Sequence, residues 1–274
     1  MFPSNYLSPV PRQGLPGHGF TYLSPLRSPS PLLISIPIPR LRVSDKHATF
    51  VWNASIVLAD MIANDDGKED GGIVRVEGRR VLEIGCGVGL PSVVAVRKRA
   101  KQVVLSDYDD LEMLDELKAS LDEALVSTDL ARVHDVGHTF GASVDPLLEP
   151  VPRGVGYDVI LVGDCIWDRA LHRPLLDSLV SILSACSTET TVHLTAGFHT
   201  GRAVVAEFLE LACQRGLALV SRPKEVSVEG DEREWPDPRN AKFGSAFTRG
   251  GEERQEERNR WTLVAAFILE RSTL

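Results

Sequence analysis

The stretch Val81-Leu-Glu-Ile-Gly-Cys-Gly-Val-Gly89 decides the reading of this chain. Val81, Leu82 and Ile84 form an apolar run that predicts a buried strand, and glycines at 85, 87 and 89 end it before a helical pattern starts at Pro91. Glycine lacks a Cβ, so backbone N–H groups here can approach a ligand closely at the head of a helix. Pro91 suits that helix start, because a first-turn N–H has no intrahelical partner. A second apolar run, Gln102-Val-Val-Leu-Ser-Asp107, ends in a carboxylate placed to accept hydrogen bonds from ribose hydroxyls. Together the two runs predict the first half of a nucleotide-binding α/β sheet. A dinucleotide fingerprint needs G-x-G-x-x-G; Leu90 stands where its third glycine would fall, so the spacing here is G-x-G-x-G.

Working outward, strands and helices alternate. Helical spacing over 52–62 ends at the turn-forming Asn64-Asp-Asp-Gly67, and strands are expected at 73–76 and 80–84. A helix over 91–99 leads to the strand at 102–107, and 111–125 reads as a helix with Leu111, Leu114, Leu117, Leu121 and Leu125 on one face. A strand over 131–136 precedes the nearly continuous apolar run Tyr157-Asp-Val-Ile-Leu-Val-Gly163, as expected of a strand covered on both faces. Then come a helix over 171–183, a strand over 190–196, a helix over 203–214 closed by Gly216, and final strands at 217–220 and 261–269. Between these last two lies a charged segment, including the run 250–258, that reads as a solvated loop or hairpin. This order predicts a mostly parallel sheet with helices on both faces, whose ligand sits at the carboxyl ends of the strands. Residues 83–89, Asp107, the loop after Val136, and Gly163-Asp164 all fall on that edge.

The chain has 274 residues and a formal net charge of −8, with acidic and basic groups mixed along most of its length. Binding phosphate backbones usually leaves a basic footprint, so no nucleic-acid partner is expected. Cys86, Cys165, Cys186 and Cys213 lack metal-type spacing; they predict reduced, mostly buried thiols and no metal site. With no apolar run near the ~18 residues of a membrane span and no secretory leader pattern, a cytoplasmic protein without membrane association is expected. Residues 1–44 are crowded with proline and serine and predict a flexible tail, with docking considered only near 32–38; residues 45–274 are expected to form one domain.

The chain resembles the family 16 Rossmann-like protein methyltransferases, in particular a fungal branch labelled nicotinamide N-methyltransferase-like. The matching pieces are Val51-Trp-Asn-Ala-Ser-Ile-Val-Leu-Ala-Asp60, Val81–Ser92, Leu105-Ser-Asp-Tyr-Asp109, Gly137-His-Thr-Phe-Gly141, Tyr157–Asp168 and Gly197-Phe-His199. The resemblance implies a seven-stranded class I sheet, S-adenosyl-L-methionine as cofactor, and a monomer that methylates a protein amine. Lysine and the N-terminal α-amine are the implied acceptors, with translation elongation factor 1-alpha as the suggested protein. Three positions depart from the family pattern: Phe140 replaces a tryptophan, Trp167 a tyrosine or phenylalanine, and Glu116 an asparagine. These changes bear on the acceptor more than on the cofactor.

On this reading Gly85, Cys86, Gly87 and Gly89 cradle the cofactor, Glu83 holds its ammonium and Asp107 its ribose, with Tyr108 beside it. Asp109 either assists or caps the next helix. Phe140 either covers the adenine or packs in the core. The resemblance places Trp52, Gly163 and Asp164 on the cofactor pocket, and Asp164 with Trp167 on the acceptor edge. His199 is either a substrate-side residue or a plain loop histidine, and His172 is expected on a helix surface. The chemistry is an in-line displacement by a neutral amine, so alignment is the protein's main task. An α-amine, with a reference pKa of about 7.7–8.0, deprotonates more readily than lysine at about 10.4. Two other readings stay open: a small-molecule N-methyltransferase, and a cofactor-binding interaction protein without catalysis.

Overall fold

The computed structural model describes residues 12–13, 17–24, 32–38, 50–64, 74–186, 189–235 and 258–270. Strand β1 (Arg12–Gln13) pairs antiparallel with β4 (Val51–Trp52), and β2 (Gly19–Leu23) pairs antiparallel with β3 (Leu33–Pro37). Helix α1 (Asn53–Ala63) follows, then β5 (Arg80–Ile84), α2 (Leu90–Arg97), β6 (Gln102–Asp107) and α3 (Leu111–Ala124). Next come α4 (Ser127–Leu130), β7 (Val133–Gly137), α5 (Asp145–Leu148), β8 (Val159–Gly163), α6 (Arg169–Ala185), β9 (Thr191–Gly197) and α7 (Arg202–Gln214). The chain closes with β10 (Leu217–Leu219), β11 (Lys224–Ser227), β12 (Glu232–Glu234) and β13 (Trp261–Leu269).

The expected seven strands run in the order β7-β6-β5-β8-β9-β13-β10, parallel from β7 to β9. Strand β13 enters antiparallel against β9. This is the class I methyltransferase arrangement. From β5 the chain steps outward through β6 to β7, then returns to the other side of β5 as β8. That reversal opens the crevice at the carboxyl end of β5, where open α/β sheets bind ligands. Among the described residues the sheet has two strands beyond these seven, because β11 and β12 add to the same edge of β13 that β10 occupies lower down.

Alternation along the central strands builds two core layers. Leu82 and Ile84 of β5, with Ile160 and Val162 of β8, pack against α6 and α7. Val81, Val159 and Leu161 pack on the opposite face with α1 and α2. All five residues of β8 are buried, as its unbroken apolar run predicts.

Four expectations are corrected. The loose tail does not hold for 19–23, whereas 32–38, where docking is considered, does pack on the domain. Tyr22, Ile34, Ile36 and Ile38 alternate with exposed residues, which is strand periodicity, and they are buried against the α1–α3 core layer. The expected strand at 73–76 is absent from 74–76; only an isolated bridge from Glu77 to Ala100 forms there, and residue 73 lies outside the described residues. Helix α3 buries Met113, Leu117, Ser120, Leu121 and Ala124, which turns Leu111 out to 81% exposure. Its N-cap is Asp110, whose carboxylate accepts from the Met113 N–H at 3.2 Å, and not Asp109. The charged run 250–257 lies outside the described residues.

Candidate active site

The glycine loop leaves β5 with φ of 68°, 55° and 73° at Gly85, Gly87 and Gly89. Side chains rarely adopt such angles, so the loop needs glycine on conformational grounds as well as for ligand access. A Cβ on Gly85 would collide with Cys165 Sγ and come within 3.2 Å of Phe140 Cζ. Gly89 is the N-cap of α2, and the Ser92 N–H in the first turn donates to Glu83 Oε2 at 2.9 Å. Glu83 is only 1% exposed. Burial pushes its pKa up to about 8, with nearby Asp107 adding to the rise and the Ser92 hydrogen bonds opposing it.

Asp107 ends β6 and reaches across to this loop: its Oδ2 accepts from the Gly87 N–H at 2.6 Å, and its Oδ1 from the Tyr108 N–H at 2.7 Å. A carboxylate has about four acceptor positions, so ribose hydroxyls can share it. Tyr108 itself is 60% exposed. The Cys86 thiol is turned into the α1–α2 core layer, where burial raises its pKa well above the usual thiol value. Its Sγ also donates to the Gly87 carbonyl at 3.8 Å.

Phe140 reaches the loop from the segment after β7. Ser178 of α6 holds that segment at two points: its hydroxyl accepts from the Gly141 N–H at 2.8 Å and is 2.9 Å from His138 Nε2.

The other half of the site forms where β8 and β9 end side by side. Asp164 follows β8 with a left-handed φ of 60°. Its Oδ1 accepts from the Gly197 N–H at 2.9 Å, and its Oδ2 accepts from His199 Nε2 at 2.7 Å. Both side chains are largely buried, at 5% and 9% exposed. Because a carboxylate only accepts, this bond fixes the proton on Nε2 and leaves Nδ1 as the ring's acceptor. A Cβ on Gly197 would lie 2.5 Å from His199 Nε2, so glycine at the end of β9 lets the histidine fold back. Trp52 completes the wall, its ring edge-on to His199 with centroids 5.0 Å apart. The two loops are tied where Thr200 Oγ1 donates to the Trp167 carbonyl at 2.6 Å. Cys165 Sγ, 3.6 Å from the Gly85 carbonyl, joins this half to the glycine loop. Gly163 is small because α1 lies against it, with Ser55 Oγ 3.3 Å from where a Cβ would sit.

The structure thus gathers Trp52, Asp164 and His199 into one cluster beside the glycine loop, with Phe140 over Gly85. His172 is not a surface residue. It is 1% exposed, bonded through Nε2 to the Ile166 carbonyl at 2.9 Å and packed edge-on to Phe208. The β11–β12 hairpin lies in the segment between β10 and β13, where a solvated loop or hairpin is expected, but its strands join the sheet. Its Glu225 is buried between Arg202 and Arg233, and Trp235 just beyond stacks on Phe198, next to His199.

The sequence profile of the lysine methyltransferase family matches residues 40–212, which contain every site residue named above. The chain belongs to that family. A protein N-terminal and lysine N-methyltransferase of Cryptococcus neoformans var. neoformans is 36% identical over 114 residues, covering 42% of this chain and 38% of that protein. A relative with the same description in Emericella nidulans is 27% identical over 160 residues, covering 55% and 60%. The chain therefore spans between about two fifths and three fifths of these relatives' lengths. Among solved structures, a SAM-dependent methyltransferase of Aquifex aeolicus superposes with a TM-score of 0.45 at 12% identity, over 71% of this chain and 84% of that one.

The residues present fit an adenosyl sulfonium. Glu83, a buried carboxylate with no cationic partner among the described residues, suits an ammonium group. With Asp107 and Asp164 it makes this edge acidic, which suits a cationic ligand. Among the described residues no group of three or more histidines, cysteines or carboxylates could hold a metal ion. No helix among them is long and apolar enough to cross a membrane.

Proposed function

We propose that this chain is an S-adenosyl-L-methionine-dependent N-methyltransferase acting on a protein amine. The observation that carries the proposal is the junction of the glycine loop with the Asp164–His199 pair through Cys165. A methyl donor needs a nucleophile freed of its proton beside it, and a histidine–carboxylate pair suits that task. When bound, the cofactor supplies an electrophilic methyl group on a sulfonium. Glu83 holds the methionine ammonium, Asp107 the ribose, and the three glycines give the backbone access. Phe140 covers the adenine side in place of the family's tryptophan.

Asp164 holds His199 in the Nε2–H tautomer, and His199 Nδ1 takes the proton from the incoming ammonium group. Trp52, with the Trp167 loop, walls the acceptor channel and excludes water; an aromatic wall also tolerates a methylated cationic product. Alignment supplies most of the acceleration, as expected for a displacement with both partners held. Lysine and N-terminal α-amine acceptors both suit this site. The names of the relatives favour a protein substrate, and elongation factor 1-alpha is the first to test.

The deciding experiment incubates the protein with labelled methyl donor, a cell lysate and purified elongation factor 1-alpha. Label in the factor supports the proposal, and label confined to small molecules replaces it with a heterocycle N-methyltransferase. Measurable cofactor binding with no transfer leaves an interaction protein.

A further inference from the structure

The geometry points to a second ligand site, for a small phosphate monoester, at the opposite end of the strands from the glycine loop. A pocket of about 250 Å³ opens there, between the last turns of α1, the amino ends of β8 and β9, and the segment joining β10 to β11. Its floor is apolar, formed by Met61, Val159 and the middle of β13. Its walls carry Arg75, Arg79, Arg222, Lys224 and His193, with the Thr191 hydroxyl alongside.

Among the described residues the lining contains no aspartate or glutamate, although acidic residues outnumber lysine and arginine by 38 to 30 in the chain as a whole. Every described charged group on the lining is thus a donor. Lys224 is balanced by Glu232 at 2.7 Å, outside the lining. Among the described residues the Arg79 and Arg222 guanidinium groups have no carboxylate within 4.0 Å. A concave site lined only by donors is complementary to an oxyanion, and arginine forks match phosphate oxygens in pairs. Several cations facing one cavity favour a dianion over a single carboxylate. The apolar floor leaves room for one ring-sized substituent, which distinguishes this site from a patch for bare inorganic phosphate.

His193 reports on the site. Burial and the charge of Arg79 push its pKa down to about 4. The charged groups facing it across the pocket are Arg75, Arg79, Arg222 and Lys224, all cationic. A bound phosphate reverses the local potential, so His193 gains affinity for a proton when the site fills.

Phenyl phosphate, inorganic phosphate and phenol are the probes, titrated into the full chain by calorimetry while the His193 ring is followed by NMR. Phenyl phosphate is expected to bind at least tenfold tighter than inorganic phosphate, with phenol silent, and to raise the His193 midpoint by a unit or more. The Arg79→Gln/Arg222→Gln double variant should lose at least tenfold in affinity, and Arg79→Lys/Arg222→Lys should keep most of it. Melting curves of both variants confirm the fold, and neither pair lies near the methyl-transfer residues, so activity should be unchanged. No binding at 10 mM phenyl phosphate, equal affinity in the Gln double variant, or an unmoved His193 midpoint overturns the assignment. A phosphoserine peptide that binds tighter than phenyl phosphate also overturns it, by making a modified protein the ligand.

Discussion

Asp164 Oδ2 and His199 Nε2 lie 2.7 Å apart although 35 positions separate them in the chain, because β8 and β9 are parallel neighbours that end together. The bond sets the tautomer of the ring and so which nitrogen can take a proton. Asp164→Asn is expected to lower the methyl-transfer rate by ~10²–10⁴-fold, the usual range for losing a positioned proton acceptor. Asparagine tolerates the left-handed backbone that Asp164 adopts, so the melting temperature should hold and cofactor affinity change little. Single-turnover rates and calorimetry on the same preparation check this, and an unchanged rate removes the pair from the mechanism.

Glu83 links cofactor binding to pH. Its pKa is raised to about 8 from 4.5, so the ligand-free fold favours the protonated acid. That contribution to stability is complete below about pH 4.5 and is lost as pH rises through about 8. An ammonium beside the carboxyl favours the ionised form, so binding releases a proton, and cofactor affinity should climb from pH 5 to 8 and then level off. Glu83→Gln should flatten this slope and become relatively more stable than the parent above pH 8. Calorimetry in buffers of different ionisation enthalpy counts the proton directly.

Gly85→Ala introduces two separable faults. The left-handed backbone costs ~1–3 kcal/mol with a side chain present, and the new Cβ meets Cys165 Sγ and Phe140. Cofactor affinity is expected to fall at least tenfold. Adding Cys165→Ala should recover the steric part and leave the backbone part, a coupling that a double-mutant cycle reads as non-additivity.

Tyr22 fastens the β2–β3 pair to α1 through a 2.7 Å hydrogen bond to Asp60 Oδ1. Burial raises the Asp60 pKa to about 7, and the hydroxyl opposes that rise. Tyr22→Phe should cost ~1–2 kcal/mol, seen as a lower denaturant midpoint, and should push the Asp60 midpoint still higher by NMR.

The Arg202 guanidinium sits 4.0 Å over the Phe198 ring while pairing with buried Glu225. Arg202→Met leaves Glu225 held by Arg233 alone. The expected loss is ~3 kcal/mol, as when one partner of a buried pair is removed. The urea midpoint should fall, and the Trp235 fluorescence should change with it, because its stacking partner Phe198 loses its cover.

The fold was legible wherever a local pattern carried it. The Val81–Gly89 stretch reads directly because glycine, proline and an apolar run each constrain the backbone on their own. For the segment between β10 and β13 the charge run left loop and hairpin both open: β11 and β12 pair through their backbones and through cross-strand ion pairs, such as Arg233 with Glu225 at 2.6 Å. Those pairs become visible only once the strands are adjacent. Docking at 32–38 was legible in the apolar residues themselves, where Ile34, Ile36 and Ile38 keep a two-residue period around Pro37, but its pairing with 19–23 was not. His172 was misplaced because its partners, Ile166 and Phe208, come from a loop and another helix. Motifs singled out Trp52, Glu83, Asp107, Phe140, Asp164 and His199 as candidates one by one, but not Cys165, which lies between the two halves of the candidate site. What stayed hidden was that Asp164 and His199 form a bonded pair.

The sheet ends on one side at β12, which reads Glu-Arg-Glu, and on the other at β7, whose His134 and Asp135 are exposed. Any strand docking against either border would have to strip water from those ionic groups without a matched partner. Among the described residues both margins of this hydrogen-bonded framework therefore carry ionic groups, which disfavours the addition of a further strand to either.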